Sequence, residues 1–377
     1  MIAILKREWK SYFQNITGWL FIAAVLALYG LYFLAYNLRA GYPYVSYTLS
    51  AISFIMLIAV PILTMRSMAE ERHSRTDQLV LTAPVSLGKM IFGKFLAMVG
   101  VFTVAVAVIA VTPLVLAAFG TVPMGENYVA VLGFWLYGCT CIAVGMLASA
   151  LTESQVIAAV VAFAFLFLGY MMNSITGLIG DHLITKVLGA YDLYTPLQSF
   201  MSGCLDLTGV VYFVSVTALC LFLTCQCVQK RRWSMTTKKL TTGMFSVAMI
   251  VVGFAVAVAV NMVVKEMPSS WTAVDATSTK LYSLTDTTKD YVKNLSQDVT
   301  IYVLSSEKSA DSTLAETLQR YEDLSKHLNV VYKDPAKSPN FYQQYTDSAP
   351  SQNSMIVVSD ARSRVVDYSD VYEYSYD

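Results

Sequence analysis

Seven stretches of this chain, each 18 to 25 residues long, contain no Asp, Glu, Lys or Arg: residues 17–36, 48–65, 95–119, 128–151, 155–172, 208–228 and 240–264. A helix crosses a bilayer with roughly 20 mostly apolar residues. A helix on a water-soluble fold keeps a charged face, and none of these stretches has one. A very hydrophobic soluble bundle is therefore excluded. Only 14% of the 377 residues are charged, against roughly 25% in an ordinary globular protein. Pro61 and Pro113 fall inside two of the stretches, where membrane helices tolerate proline and kink. The first stretch is too long for the apolar part of a cleaved signal, about 7–15 residues. It runs into Asn37-Leu38-Arg39, so a retained span is expected.

Formal net charge is zero, but unevenly distributed. Residues 1–264 hold 15 Lys/Arg against 9 Asp/Glu, a balance of +6, and residues 265–377 hold 11 against 17, a balance of −6. Such a split marks two regions in different environments. One set of short loops carries Lys6, Arg7, Lys10, Arg66, Arg72, Arg75, Lys89, Lys94, Lys230, Arg231, Arg232, Lys238 and Lys239; the other carries only Arg39 and Lys186. Basic loops stay in the cytoplasm. The N-terminus is thus expected inside the cell membrane, and seven spans put residues 265–377 outside. Ile2, Leu5, Trp9 and Tyr12 recur at helical spacing with Lys6, Arg7 and Lys10 on other faces. That pattern reads as an interfacial amphipathic helix over 1–16, with a frayed basic tail as the plain alternative.

Several kinds of chemistry lack their residues. Cys139, Cys141, Cys220, Cys225 and Cys227 lie in apolar runs, where cysteine packs as a small apolar residue. The sixth, Cys204, precedes a span, and residues 265–377 have none. Cys225-Gln-Cys227 lacks metal-site spacing. His73, His182 and His327 fall in three separate regions, so no triad or metal site is built from them. Gly88-Lys-Met-Ile-Phe-Gly93-Lys94-Phe95 approaches a phosphate-binding loop, but Phe95 stands where a Mg²⁺-binding hydroxyl is needed and no strand precedes it. No catalytic, cofactor or metal residue is assigned, and nucleic acid is not expected as a partner. An ion-coupled transporter buries ionisable groups in its spans; these spans show none.

Residues 65–95, MRSMAEERHSRTDQLVLTAPVSLGKMIFGKF, begin as a charged helix, break at Pro84 and end apolar. A charged run is ordinarily a solvated face. Here it lies next to the membrane and leads to Leu79-Val80-Leu81, an apolar stripe that a partner protein can cover. Arg66, Glu70, Glu71, Thr76, Leu79, Leu81, Thr82, Pro84, Val85, Ser86 and Gly93-Lys94 together resemble the first cytoplasmic loop of ABC-2-type permeases, also called type V exporters. Two positions depart from that pattern. Arg75 stands where Gly is usual, and Gln78 where Glu is usual, leaving a hydrogen bond through Gln78 as the substitute for a salt bridge. The resemblance implies a coupling helix that docks on a separate cytoplasmic ATPase, which binds the ATP. Its contact residues are expected to be Arg66, Glu70, Glu71, Arg72, Arg75, Thr76, Gln78, Leu79, Leu81 and Pro84. The implied partners are that ATPase, a second permease subunit (the same chain or another) and the lipid bilayer.

Two further segments resemble the gliding-motility (Gld-type) branch. FMSGCLDLTGVVYFVSVTALCLFLTCQCVQKRRW, residues 200–233, is similar to the last permease span. Asp275, Lys280-Leu-Tyr-Ser-Leu-Thr and Asp298-Val-Thr-Ile-Tyr-Val-Leu304 are similar to the start of the auxiliary component. The two would then be fused at span seven, and the resemblance implies a thioredoxin-like outer core. With no cysteine in it, redox chemistry is excluded. The residues themselves predict strands at 299–304, 329–332 and 355–358 and a helix at 312–328 N-capped by Ser312. They leave a loop at 335–354 and an acidic strand and tail at 367–377. The expected fold class is an α-helical polytopic membrane domain, six ABC-2 permease spans plus a seventh, with a C-terminal extracytoplasmic α/β domain. Expected boundaries are 1–16, 17–232 for the permease, 233–264 for linker and seventh helix, and 265–377 for the outer domain. The family domain usually runs further, so this copy is expected to be cut short or the chain to be a piece of a longer one.

The expected activity is export driven by a separate ATPase. A motility component that moves an outer domain without transporting is the alternative. Gly138, Cys141, Gly145 and Ala148 line one face of span four. Small residues allow close helix approach in lipid, either within the subunit or at a dimer seam. Ile175, Leu178, Ile179 and Leu183, then 191–200 with Pro196, are expected as short re-entrant or interfacial helices at the outer mouth.

Overall fold

The computed structural model describes residues 2–75, 86–179, 188–232, 239–267, 272–277, 284–295, 297–306, 310–346, 348–359 and 362–371. The chain divides into two compact units, Met1–Glu266 and Met267–Asp377.

The first unit is helical: α1 (Ile2–Gln14), α2 (Ile16–Phe33, continued by a π-helical turn at Leu34–Arg39), α3 (Ser46–Thr64), α4 (Arg66–His73), α5 (Leu87–Ile109), α6 (Thr112–Ala117), α7 (Met124–Leu151), α8 (Gln155–Ile179), α9 (Tyr194–Met201), α10 (Leu207–Arg232) and α11 (Lys239–Lys265). Among the described residues, seven helical segments are long and apolar enough to cross a membrane. Each overlaps one of the seven charge-free stretches, with shifted ends. Pro61 lies inside α3. Pro113 also lies inside a membrane-length segment, Leu87–Ala117, which is interrupted between α5 and α6 just before it, because proline has no amide to offer the preceding turn. The short helices expected after residue 172 are found in part: the second is α9, while Ile175, Leu178 and Ile179 belong to α8. α8 continues to Ile179, and α9 packs on α7 and α10, burying Leu197 and Phe200. Leu183 lies outside the described residues.

α7 is the axis of the bundle and packs against α3, α5, α8, α9 and α10. Its glycines set the approach distances. An added methyl would collide with Phe200 at Gly133, with the Phe102 ring at Gly138 and with Thr64 at Gly145. Several polar side chains inside the bundle are paired, as a low-dielectric interior favours. Thr140 Oγ1 lies 3.2 Å from the Phe213 carbonyl and 3.1 Å from Thr217 Oγ1. Near the start of α7, the Asn127 side chain accepts from the Val45 amide at 2.7 Å and donates to the Pro43 carbonyl at 3.1 Å. Asn37 donates to the Tyr42 and Tyr44 carbonyls and accepts from Thr48. Together they close the turn between α2 and α3. α11 packs along α10, where Asn261 donates to Ser215 Oγ at 2.7 Å.

The second unit is built on a four-stranded sheet: β1 (Val299–Val303), β2 (Leu328–Tyr332), β3 (Met355–Ser359) and β4 (Ser363–Val366), in the order β2-β1-β3-β4. β1 and β2 are parallel, with Val299 opposite Leu328; β3 is antiparallel to both β1 and β4. A parallel pair followed by an antiparallel hairpin is the strand order of a thioredoxin-like core. Helices α12 (Asp286–Lys293) and α13 (Ser312–Leu324) bury Val292, Leu314 and Leu318 against Ile301, Val303 and Leu328. α13 is capped by Asp311, whose carboxylate accepts from the Leu314 amide at 2.8 Å, not by Ser312. It ends at Leu324, four residues earlier than its apolar spacing suggests, because Ser325 is extended. On the other sheet face Tyr302, Phe341 and Tyr345 cluster, with Tyr302 and Phe341 edge to face and centred 4.9 Å apart. The segment expected as a terminal strand is a 3₁₀ turn, Tyr368–Asp370; residues 372–377 lie outside the described set.

Candidate coupling site

α4 follows directly from α3, and its eight residues divide between two surroundings. Ser67, Met68 and Ala69 are buried; Arg66 and Glu70 face outward and form a two-pronged pair, Nε to Oε2 at 2.8 Å and a second nitrogen to Oε1 at 2.9 Å. Such an exposed pair contributes about 0.5 kcal/mol, so it shapes a surface more than it stabilises one.

The inward charges are different. Lys94 is only 3% exposed. Its ammonium lies 2.6 Å from Glu71, 3.0 Å from the Ser67 carbonyl and 3.7 Å from Glu8. Arg7 contacts Glu8 at 2.6 Å and Glu71 at 3.9 Å. The Glu8 carboxylate, hydrogen-bonded to the Arg7 guanidinium, holds it above its ordinary pKa. Two cations and two carboxylates thus tie α1, α4 and α5 together. Hydrophobic contact extends the tie: Trp9 sits so closely over Gly100 of α5 that a methyl there would overlap its ring. Arg72 reaches the other way, to Glu153 at 2.8 Å and the Leu151 carbonyl at 3.3 Å, fastening α4 to the α7–α8 turn.

Arg75, immediately beyond α4, has φ of 56°. That left-handed conformation favours glycine, which accounts physically for the glycine usual at this place in the resembled pattern.

Of the expected contact residues, Arg66, Glu70, Glu71, Arg72 and Arg75 are therefore assembled around one short helix. Thr76, Gln78, Leu79, Leu81 and Pro84 lie outside the described residues. Gly138, Cys141, Gly145 and Ala148 are all buried inside the chain's own bundle. Sequence reasoning missed Lys94 as a buried group, reading it as loop and the spans as free of charge. Its signal was present: Met90, Ile91, Lys94, Ala97, Met98 and Val101 share one buried helical stripe, so the lysine continues an apolar face. Among the described residues no group of three His, Cys, Asp or Glu side chains comes together to hold a metal.

Seven membrane-length helices around an axial helix, with a short charged helix strapped to one end, define a polytopic membrane protein. The family model described as ABC-2 family transporter protein matches residues 36–228, just over half of the chain, and the chain belongs to that family. It is the membrane component and not itself the ATPase. A second model, described as a domain of unknown function (DUF7088), matches residues 278–370. No curated protein matches the chain.

Proposed function

We propose that the chain is the permease subunit of an ABC-type exporter in the cell membrane, with its N-terminus in the cytoplasm and α4 as the helix on which a separate ATPase docks. The carrying observation is the buried Lys94–Glu71 pair with Glu8 and Arg7 beside it. A lever must be rigid to transmit force, and burial of a charge is tolerated only where its partners are fixed. ATP closes two ATPase subunits together; α4 receives that displacement and passes it to α5 and α1. Arg66, Glu70, Arg72 and Arg75 serve as polar anchors, and Leu79 and Leu81 as apolar ones. One six-span unit, residues 17–232, supplies half a pathway, so two permease subunits pair in a homo- or heterodimer. Residues 233–264 carry the seventh span, and 265–377 form the outer domain fused in the Gld-type manner.

The test is a purified complex with the ATPase that copurifies with the chain. Removing residues 70–78 is expected to abolish the permease's stimulation of ATP hydrolysis while the ATPase alone hydrolyses normally. Undiminished stimulation rejects the assignment. The motility reading draws on the Asn261–Ser215 bond that clasps α11 to α10, a route for motion toward the C-terminal unit. It predicts ATP hydrolysis that no transported compound accelerates.

A further inference from the structure

The first turn of a helix leaves its amides without intrahelical acceptors, and a hydroxyl or carboxylate at the N-cap ordinarily takes one or two of them. The residue before α4 is Met65, whose side chain caps nothing. The hydroxyl comes from another helix. Ser149, near the end of α7 and buried, accepts from the Met68 amide and the Ala69 amide, each at 3.1 Å, and donates to the Met65 carbonyl at 3.0 Å. One donor and two acceptor positions are all a serine hydroxyl has, and every one is spent on the α3–α4 junction. A side chain inserted into a helical ladder is a recognised cause of a bend.

A second observation makes the insertion possible. Gly145 lies one turn before Ser149, and a methyl there would collide with the Thr64 hydroxyl at the end of α3. The bare backbone lets α7 close on α3 at the level where Ser149 must reach. Beside the junction the Ser67 hydroxyl is buried without a hydrogen-bond partner among the described residues, which costs stability in this arrangement.

We propose that Ser149 is a positioning residue that splices α7 into the α3–α4 junction and makes it a hinge. This rests on α4 being the coupling helix. Displacement of α4 then acts on the axial helix of the bundle directly, not only along its own span α3. Withdrawal of the hydroxyl leaves the Met68 and Ala69 amides without this acceptor and frees α4 to turn about the junction.

Hydrogen exchange on the full-length chain in lipid nanodiscs tests the splice without any partner. In the unaltered chain the amides of Met68 and Ala69 are expected to exchange more slowly than those of Arg72 and His73. Ser149→Ala is expected to speed them roughly tenfold, the scale of losing a buried hydrogen bond, and Ser149→Thr to restore protection. Equal exchange across α4 in the unaltered chain, or no change in Ser149→Ala, overturns the proposal; the first arm needs no variant to fold. ATP hydrolysis by the complex with its ATPase is the separate arm. Faster exchange with stimulation lowered several-fold, and rescued by Ser149→Thr, supports a hinge that works in coupling. Faster exchange with full stimulation keeps the splice but overturns its role in coupling, whereas deletion of 70–78 tests the ATPase reading itself.

Discussion

At the scale of single residues, Lys94 carries the most. Removing one partner of a buried pair leaves the other charge uncompensated. Glu71→Gln, which leaves the buried Lys94 ammonium with the Ser67 carbonyl and a more distant Glu8, is expected to lower stability by about 3 kcal/mol, read as a fall in the melting temperature of the detergent-solubilised chain. Replacing Lys94 and Glu71 together is expected to recover most of the loss; a double variant no better than the single one would show that the pair is not the source. Arg75 makes the opposite prediction. Its left-handed backbone strains a residue with a Cβ, so Arg75→Gly is expected to raise stability by roughly 0.5–1 kcal/mol, and a lowered melting temperature would contradict it. In the second unit, hydrogen bonds from Ser351 and Ser354 hold the Asp367 carboxyl below its usual range. A depressed folded pKa means that its stabilisation is full above the unfolded value, about 3.9, and fades as pH falls through the folded value. Asp367→Asn is expected to flatten the acid side of the stability–pH curve, and an unchanged curve would assign the acid sensitivity elsewhere. None of these three roles follows from composition. Lys94 looked like loop because only its position on a buried stripe separates it from the other basic loop residues, and the φ of Arg75 has no local signature beyond the glycine usual there.

At the scale of elements, the long apolar helices were legible because lipid imposes length and freedom from charge on the sequence itself. Their ends were not, since helical hydrogen bonding continues past the apolar core: α5 begins at Leu87, eight residues before its charge-free stretch, and so draws Lys94 inside. In the α/β unit, β1, β2 and β3 were readable as compact runs of Val, Ile and Tyr. α12 was missed because a mostly polar eight-residue helix buries a single valine, Val292, and β4 because Ser363-Arg364 opens it with two exposed polar residues. The small residues of α7 were found by spacing, but which surface they meet is a tertiary fact. That fact is testable. Gly138→Ala drives a methyl into Phe102 and Gly145→Ala one into Thr64, each expected to cost about 1–3 kcal/mol by overpacking. Gly30→Ala, with open space around it, is expected to be neutral or slightly stabilising. Equal tolerance at all three positions would mean that α7 does not sit at the centre of the bundle.

At the scale of the whole molecule, the argument turns on which way the bundle faces. The groups gathered around α4 come from the N-terminal helix, α4 itself, α5 and the α7–α8 turn: Arg7, Glu8, Arg66, Glu71, Arg72, Lys94 and Glu153. Loops with excess Lys and Arg remain on the side of synthesis, and thirteen of the fifteen basic residues before position 265 fall in that one set of loops. The energetic asymmetry that fixes orientation and the charge lattice that stiffens α4 therefore use the same residues. An ATPase is confined to the cytoplasm by its nucleotide, so the two demands agree only if this end faces inward. On the proposed orientation, an odd number of spans is expected to put residues 267–377 on the opposite side. Protease added to intact cells is expected to remove the C-terminal unit and leave α1 and residues 66–75 attached to the membrane; opening the cells is expected to expose that second set. Cleavage near residue 75 from outside would place α4 beyond the reach of any ATP-driven partner, and the buried Lys94 lattice would then need a purely structural explanation.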